Sequence, residues 1–306
     1  MKKLAKMLAV LALALSVVGC SSEKKSDEIT TLEVQFVPTN VETADGTSAD
    51  FEAYLENLLD MDVNVTVATS YNTIVEAMKS GKTHVGIMPP ATYVIARESD
   101  SAISILSSTL VDYDQETEQP IAGSTVGTFK AEIVMKKDAA IESYKDFEGK
   151  TIARLGTASA SGYIYPVAEM IDAGVDLSTI TFVEILDMPS AMRAVYDGEV
   201  DACYVFEGAR YVFQNAVKDS NGNAIDVWEN FKVMLSEGDI PNDAVAVLPT
   251  LGDELTAKVK QAFLDMAADE EGLAIMSSWG HTGYVESDEA AYDSIAAYME
   301  KAASEE

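Results

Sequence analysis

From Ile29 onward, short strand-like segments alternate with amphipathic helical segments, and this rhythm restricts the chain to the α/β fold class. Residues 31–37 alternate apolar and polar side chains as a half-buried strand does, whereas residues 48–61 repeat apolar side chains at three- and four-residue spacing. Strand-like segments follow at 63–68 and 84–88, each with a short helical segment after it. Because strands joined by helical crossovers run in the same direction, the pattern predicts mostly parallel sheets flanked by helices.

The rhythm is interrupted at residues 112–123, which contain several acids together with a proline and a glycine. Residues of this kind break both helices and strands, so we interpret the segment as a crossing between two lobes. The alternation then restarts. It predicts two lobes with a cleft between them, in which residues 29–120 and 244–306 form lobe I and residues 121–243 form lobe II.

The first 28 residues have a different character and are excluded from the fold. Three lysines precede an apolar run at residues 7–18, which is too short for a membrane span of about 20 residues. We therefore predict a signal peptide at residues 1–19. Gly19 followed by Cys20 matches a bacterial lipobox, and the alternative is an ordinary signal peptide with a chance cysteine. Residues 20–28 are predicted to be a lipid-anchored flexible tether.

Charge and side-chain chemistry exclude several classes of function. Without the three lysines of the signal segment, 18 basic and 51 acidic side chains remain, a net charge near −33. Such a surface repels nucleic acid, which we exclude as a partner. Cys203 lies in an apolar stretch and is predicted to be a buried free thiol. His84 and His281 are far apart, and no cluster has metal-ligand spacing, so we expect no metal, no cofactor and no catalytic residue.

Three turns with small or hydroxyl side chains follow predicted strands, at residues 69–73, 88–93 and 156–163. In parallel α/β sheets, ligands bind at the carboxyl ends of strands, where the first turns of helices present free N–H groups. Such ends accept anions even in an acidic protein. Ordinary helix capping by serine or threonine is the alternative at each position, but three corresponding turns indicate a cleft site.

The chain resembles the phosphonate-, phosphite- and phosphate-binding proteins of ABC importers. The resemblance runs in order over nearly all of the chain after the signal segment. It is carried by ATSY at 68–71, IVEAM at 74–78, residues 81–94, FEGKT at 147–151, SASGYIYP at 159–166, GEVDA at 198–202 and IPND at 240–243.

The resemblance implies a two-lobed clamp of the type II periplasmic-binding-protein class that closes on an oxyanion. Carried over by position, two tyrosines face the cleft, three residues of the third turn hold the oxyanion, and two acids take a polar or cationic tail. The implied ligand-binding residues are Tyr71, Tyr93, Ser159, Ala160, Ser161, Glu207 and Asp243. Glu207 at a helix start and Asp243 in a turn have structural alternatives as capping residues.

Three positions depart from the family pattern. Ala160 replaces a hydroxyl residue, Pro89 replaces a glycine, and Met188 stands where a histidine is common. A methionine cannot donate a hydrogen bond to an oxyanion, so the ligand is open at this point. Arg154 and Lys130 are candidates for a compensating charge, with ordinary surface positions as the alternative.

The expected function is that of an extracytoplasmic solute-binding lipoprotein of an ABC importer, not an enzyme. It would be a monomer held on the cell membrane by its lipid, binding a small oxyanion and delivering it to a permease with its ATPase. The alternatives are an amine-bearing or non-phosphorus ligand in the same clamp, and a sensor or adhesin lipoprotein without a transporter. Catalysis would require a nucleophile–base pair or a metal cluster, and the sequence indicates neither.

Overall fold

The computed structural model describes residues 29–37 and 44–304, and the described residues from Thr31 onward belong to one compact unit. The signal peptide, the lipobox and the tether predicted at residues 1–28 lie outside the described residues. No helix in the described part of the chain has the length and apolar character needed to cross a membrane.

The elements alternate between strand and helix as the sequence predicts. The strands are β1 (Thr31–Phe36), β2 (Asp62–Val67), β3 (Val85–Met88), β4 (Ile103–Tyr113), β5 (Pro120–Val126), β6 (Thr128–Lys136), β7 (Thr151–Arg154), β8 (Thr181–Glu184), β9 (Ala202–Phe206), β10 (Phe231–Pro241), β11 (Ala244–Val247) and β12 (Gly283–Glu286). The helices are α1 (Ala44–Leu59), α2 (Tyr71–Lys79), α3 (Pro90–Glu98), α4 (Tyr165–Asp172), α5 (Met188–Asp197), α6 (Ala209–Phe213), α7 (Val227–Asn230), α8 (Asp253–Ala268), α9 (Glu270–Ser277) and α10 (Asp293–Ala303). A π-helical turn, Ala160–Ile164, leads directly into α4.

The first sheet has seven strands in the order β12-β4-β11-β3-β1-β2, with β5 paired to β4. Strand β1 is parallel to β2 and β3, and Val34 pairs with Val65 on one side and Val85 on the other. Leu32, Val34 and Phe36 are buried on one face, as their alternation predicts.

The second sheet has five strands in the order β10-β6-β9-β7-β8. Strand β7 is parallel to β8 and β9, whereas β6 is antiparallel to β9 and β10. Both sheets are therefore mixed: helices connect the parallel strands that the alternation predicts, and antiparallel pairs lie beside them. In the first sheet β11 is antiparallel to both of its neighbours, β3 and β4, and in the second sheet β6 is antiparallel to both of its neighbours, β9 and β10.

The segment predicted as a crossing, 112–123, is the turn of a β4–β5 hairpin that belongs to the first sheet. The chain passes to the second sheet between β5 and β6, so the predicted lobe boundary at 120/121 falls inside this hairpin. It returns between β10 and β11, through Asn242. The fully buried Asn242 side chain donates hydrogen bonds to the carbonyls of Ser108 (3.0 Å) and Val126 (2.7 Å), which joins the two crossings.

Cys203 is a free, fully buried thiol on β9, which confirms the prediction. Burial raises its pKa far above the ordinary value for a thiol, and the nearby Glu132 carboxylate adds to this effect. A thiol of this kind is inert and packs as a small apolar side chain.

A buried ion pair fastens the β4–β5 hairpin to the second sheet. The Arg210 Nε donates to both carboxylate oxygens of Glu118 (3.1 and 3.0 Å), and its Nη1 donates to the Phe231 carbonyl (3.0 Å). Its guanidinium also lies 4.8 Å above the Trp228 ring. Both charged side chains are almost fully buried, and their attraction for each other offsets the free-energy cost of removing the two charges from water.

A second carboxyl group, Glu132, lies in the same buried region. Its Oε2 accepts from the Gly208 amide (3.3 Å), and its Oε1 has no hydrogen-bond partner among the described residues. Burial raises the pKa of Glu132 well above its ordinary value, the Glu118 charge raises it further, and Arg210 lowers it. One arginine therefore lies near two buried carboxyl groups, and the raised pKa of Glu132 favours its protonated form.

Candidate functional site

A cavity of about 860 Å³ is lined by residues from both sheets and from the segments that connect them. Six of the seven predicted ligand-binding residues line it: Tyr71, Ser159, Ala160, Ser161, Glu207 and Asp243. The structure thus brings together side chains from four distant parts of the sequence. The cavity has the size and the mixed polar and apolar lining of small-molecule sites.

Three helical segments begin at the cavity wall. They are α2 at Tyr71, α3 at Pro90, and the π-helical turn at Ala160. The first N–H groups of a helix have no partner within the helix and carry partial positive charge. The predicted turns at 69–73, 88–93 and 156–163 therefore converge on one space, where they can offer N–H donors to an anion.

The turn that begins at Ser159 is built from small residues because its backbone is tightly packed. The Ser159 hydroxyl accepts a hydrogen bond from the Gly162 amide (3.1 Å) and caps the turn. A Cβ atom at Gly162 would lie 2.7 Å from the Ser159 Oγ and 2.9 Å from two side-chain atoms of Leu155. Only glycine fits at this position without a shift of its neighbours.

Tyr71 and Ser159 meet across the cavity. Tyr71 begins α2 beside the first sheet, and its phenol lies close to the Ser159 side chain, which caps a turn of the second sheet. Burial raises the pKa of Tyr71, the Ser159 side chain lowers it, and the Asp243 charge raises it. The phenol stays protonated at neutral pH and can donate to a ligand oxygen.

Asp243 lies beside a histidine that the sequence reasoning set aside. The His281 Nε2 is 3.3 Å from the Asp243 Oδ2, and the Trp279 indole N–H donates to the His281 Nδ1 (3.1 Å). Since Nδ1 accepts from the indole, we assign the proton of the neutral ring to Nε2, which points to Asp243. His281 lines the cavity although it is almost fully buried. An isolated histidine between α9 and β12 carries no sequence signal for this role.

Glu207 lies where the β4–β5 hairpin approaches the second sheet. Its Oε2 accepts from the Lys130 amide (3.0 Å), and its carboxylate also bonds the Gln115 side chain. Burial raises the pKa of Glu207, and these hydrogen bonds lower it. Its carboxylate lines the cavity and already accepts a hydrogen bond from the protein backbone.

Tyr93 is not brought to the cavity. It is fully buried in the first half of the molecule, where its hydroxyl donates to the Glu289 Oε1 (2.5 Å) and accepts from the Ser104 amide (3.1 Å). Its ring packs edge-on against Tyr292, with the centroids 4.8 Å apart. Tyr93 lies one turn into α3, on the side of the helix that packs into the core, and Pro89 and Pro90 form the cavity wall instead.

The structure also locates the residue that departs from the family pattern at position 188 and the two cations considered as compensation. Met188 lines the cavity at the start of α5. Lys130 pairs with Asp239 (3.0 Å), and Arg154 pairs with Glu184 (2.9 Å). No arginine or lysine is among the described residues that line the cavity, so these two cations do not supply the charge that we considered for them.

Comparisons with known proteins agree with this geometry. The sequence profile of the family described as "ABC transporter, phosphonate, periplasmic substrate-binding protein" matches residues 37–292. The chain is 24% identical to the phosphate-import protein PhnD of Mycolicibacterium smegmatis, over 89% of this chain and 85% of that protein.

Solved structures share the fold at lower identity. A binding protein component of an ABC phosphonate transporter from Pseudomonas aeruginosa superposes with a TM-score of 0.71 at 15% identity, over 89% of this chain and 87% of that chain. PhnD1 of Prochlorococcus marinus, in complex with methylphosphonate, superposes with a TM-score of 0.66 at 16% identity, over 89% of this chain and 98% of that chain. Both have the two-sheet architecture of type II periplasmic binding proteins, which confirms the predicted fold class.

Proposed function

The chain belongs to the family of periplasmic substrate-binding proteins of phosphonate-type ABC transporters, and from this premise we propose that it binds a phosphonate-, phosphite- or phosphate-like oxyanion in the cavity. Members of this family bind solutes for transport and are not enzymes, so the chain is a transport protein. In the proposal, the oxyanion lies at the turn Ser159, Ala160 and Ser161, and the Tyr71 phenol donates to it from the opposite side.

The observation that carries the proposal is the contact between Tyr71 and Ser159. Each belongs to a helical segment whose free N–H groups face the same space, and the two segments pack against different sheets. An oxyanion that accepts from both would link the two halves of the molecule. Ligand binding would then favour a closed form, which is the state that a permease recognises in a clamp mechanism.

Replacement of Tyr71 tests the proposal together with Tyr93 as a matched control. We expect the chain from Ser21 to Glu306 to bind methylphosphonate, phosphite or phosphate in isothermal titration calorimetry. Tyr71→Phe should weaken binding by roughly 10- to 100-fold, because a hydrogen bond to a charged group contributes about 1.5–3 kcal/mol. Tyr93→Phe should leave the affinity unchanged and lower only the melting temperature, because the Tyr93 hydroxyl donates to Glu289 and does not reach the cavity.

Two outcomes would contradict the proposal. The first is the absence of both heat and thermal shift with all three oxyanions. The second is equal affinity of the Tyr71→Phe variant and the unmodified chain.

The proposal includes a lipid anchor at Cys20, which would keep the clamp near its permease. It is supported by the apolar run at residues 7–18 and by Gly19 before the cysteine. We expect Cys20→Ser to move the protein from the membrane fraction to the soluble extracytoplasmic fraction and to abolish labelling by a radioactive fatty acid. Two acyl chains on one cysteine hold a protein firmly to a bilayer, so the shift should be nearly complete.

Ser21→Ala is the control for this experiment, because it changes the neighbouring residue and leaves the thiol. Retention of Cys20→Ser in the membrane fraction, with unchanged lipid labelling, would refute the anchor and leave the binding function untouched.

A further inference from the structure

We propose that the ligand is a phosphorus oxyanion whose substituent is a bulky, apolar and positively charged group, rather than a short alkyl chain. This inference rests on the proposed function and adds the chemical class of the ligand to it. Its basis is the part of the cavity that an oxyanion at the Ser159 turn would leave empty.

Several large apolar side chains that line this part of the cavity are exposed to solvent. Leu186 is 93% exposed, Val212 is 47% exposed and Ile121 is 44% exposed, and all three line the cavity. Large apolar side chains scattered over a surface need no explanation, but several in the wall of one concave site indicate an apolar ligand group.

The exposed side chains adjoin a firm apolar wall. Leu155, Met188, Phe206 and Phe213 line the cavity and belong to one packed cluster in the second half of the molecule. The rings of Phe206 and Phe213 pack edge to face, with their centroids 5.6 Å apart. Flat rings held in this way provide a preformed surface for a flat or branched apolar group. The histidine expected at Met188 would be polar, so the methionine itself adds to this wall.

The volume of the cavity agrees with a large ligand. About 860 Å³ lies near the upper end of the range of about 300–1,000 Å³ that drug-sized ligands occupy. A methylphosphonate ion consists of only a few atoms and fills a small part of it.

The charge of the lining specifies the substituent further. Six carboxylates line the cavity: Asp112, Asp114, Asp187, Glu207, Asp239 and Asp243. The only Lys or Arg ion pair recorded for any of them is Asp239 with Lys130, and no lysine or arginine belongs to the described lining. A concave site lined by carboxylates has a strongly negative potential. This potential favours a ligand that carries a positive group and disfavours a ligand that is only an anion. An oxyanion can enter this field at little cost if it carries a positive group.

Calorimetry with three ligands of graded structure tests the inference. The ligands are methylphosphonate, benzylphosphonate and 4-(aminomethyl)benzylphosphonate, each titrated into the chain from Ser21 to Glu306. We expect the ring to raise affinity about tenfold over methyl, because it buries more apolar surface against the wall of the cavity. The amine should raise affinity further, by an amount that falls as salt is added. The heat capacity change should become more negative with the ring.

A pair of surface variants locates the effect. Leu186→Ser should remove most of the gain from the ring and leave methylphosphonate affinity unchanged, because Leu186 is almost fully exposed and contributes little to folding. Leu58→Ser is the control, since Leu58 is the same residue type in an exposed position on α1 and does not line the cavity.

The results separate this inference from the function on which it rests. If methylphosphonate binds as tightly as the ring-bearing ligands, closure of the two halves on a small ion covers the apolar wall and the inference is wrong, while the proposed function stands. Equal ring gains in Leu186→Ser and in the unmodified chain would also refute it. If none of the three ligands binds, the inference is wrong, and the titrations with phosphite and phosphate decide separately whether the proposed function stands.

Discussion

Replacing Arg210 by methionine is expected to lower the free energy of unfolding by about 3–5 kcal/mol, which is the usual cost of removing one partner from a buried ion pair. Arg210 donates both to the Glu118 carboxylate and to the Phe231 carbonyl, and no other lysine or arginine among the described residues pairs with Glu118. Methionine has a similar length but leaves Glu118 and Glu132 buried with no cation between them. Urea denaturation followed by circular dichroism measures the loss.

The matched control is Arg193→Met. Arg193 pairs with Asp197 four residues away on the surface of α5 (3.1 Å), and such helix pairs contribute only about 0.3–0.5 kcal/mol. The two substitutions are chemically identical, so their difference reports the burial of the Arg210 pair. Equal losses in both variants would show that the Glu118–Arg210 contact does not fasten the hairpin.

The loss in Arg210→Met should also depend on pH, and the direction follows from the Glu132 carboxyl group. The pKa of Glu132 is raised in the folded protein, and Arg210 lowers it, so its removal raises the pKa further. A carboxyl group with a raised pKa binds protons more tightly in the folded state than in the unfolded state. Its contribution to stability is complete below the ordinary glutamate pKa and declines as the pH rises towards the folded value. The stability of the variant should therefore decline from pH 5 to pH 8, by at least as much as the Glu132 group makes the unmodified chain decline.

The second large effect is expected at Gly162. Gly162→Ala should lower affinity for methylphosphonate by roughly ten- to a hundredfold, because the new methyl group would meet Ser159 and Leu155 at distances below 3 Å. Overpacking of this size costs about 1–3 kcal/mol, and here the neighbours that must move belong to the oxyanion turn itself. Calorimetry of the variant measures the change in binding, and its melting temperature shows whether the fold is retained.

Gly156→Ala is the control in the same turn. A Cβ atom at Gly156 would meet nothing within 4 Å, so this variant should bind as the unmodified chain does. If Gly162→Ala binds methylphosphonate as tightly as Gly156→Ala, the turn does not hold the ligand, and the site must be sought elsewhere in the cavity.

Much of the fold followed from the periodicity of the sequence. Helix α8 (Asp253–Ala268) is an example, because its apolar side chains recur at helical spacing whatever the helix packs against. The extended strands of the crossing segments were not foreseen. Strand β10 is an edge strand of the second sheet and is largely half-buried, and its side chains show no regular alternation of apolar and polar residues. Such a strand is recognised only from its partner β6.

Part of the candidate site could also be predicted from local sequence. Turns after strands carry serine, threonine and glycine, and the rule that ligands bind at strand ends places them at one edge of each sheet. The orientation of each side chain has no such rule. Tyr71 reaches the cavity and Tyr93 does not, although each lies within the first turns of a helix that follows a strand. The difference depends on which side of each helix faces the sheet.

The sequence by itself determined the local elements, the acidic surface, the buried thiol at Cys203 and the turns at which an anion can bind, because these properties depend on side chains close together in the chain. Only the tertiary structure decided that Tyr71 contacts Ser159, that His281 lies beside Asp243 and that Arg210 neutralises Glu118. Each of these pairs joins residues far apart in sequence. Their contact depends on how two mixed sheets are connected through the crossings at Asn242, which local patterns do not encode.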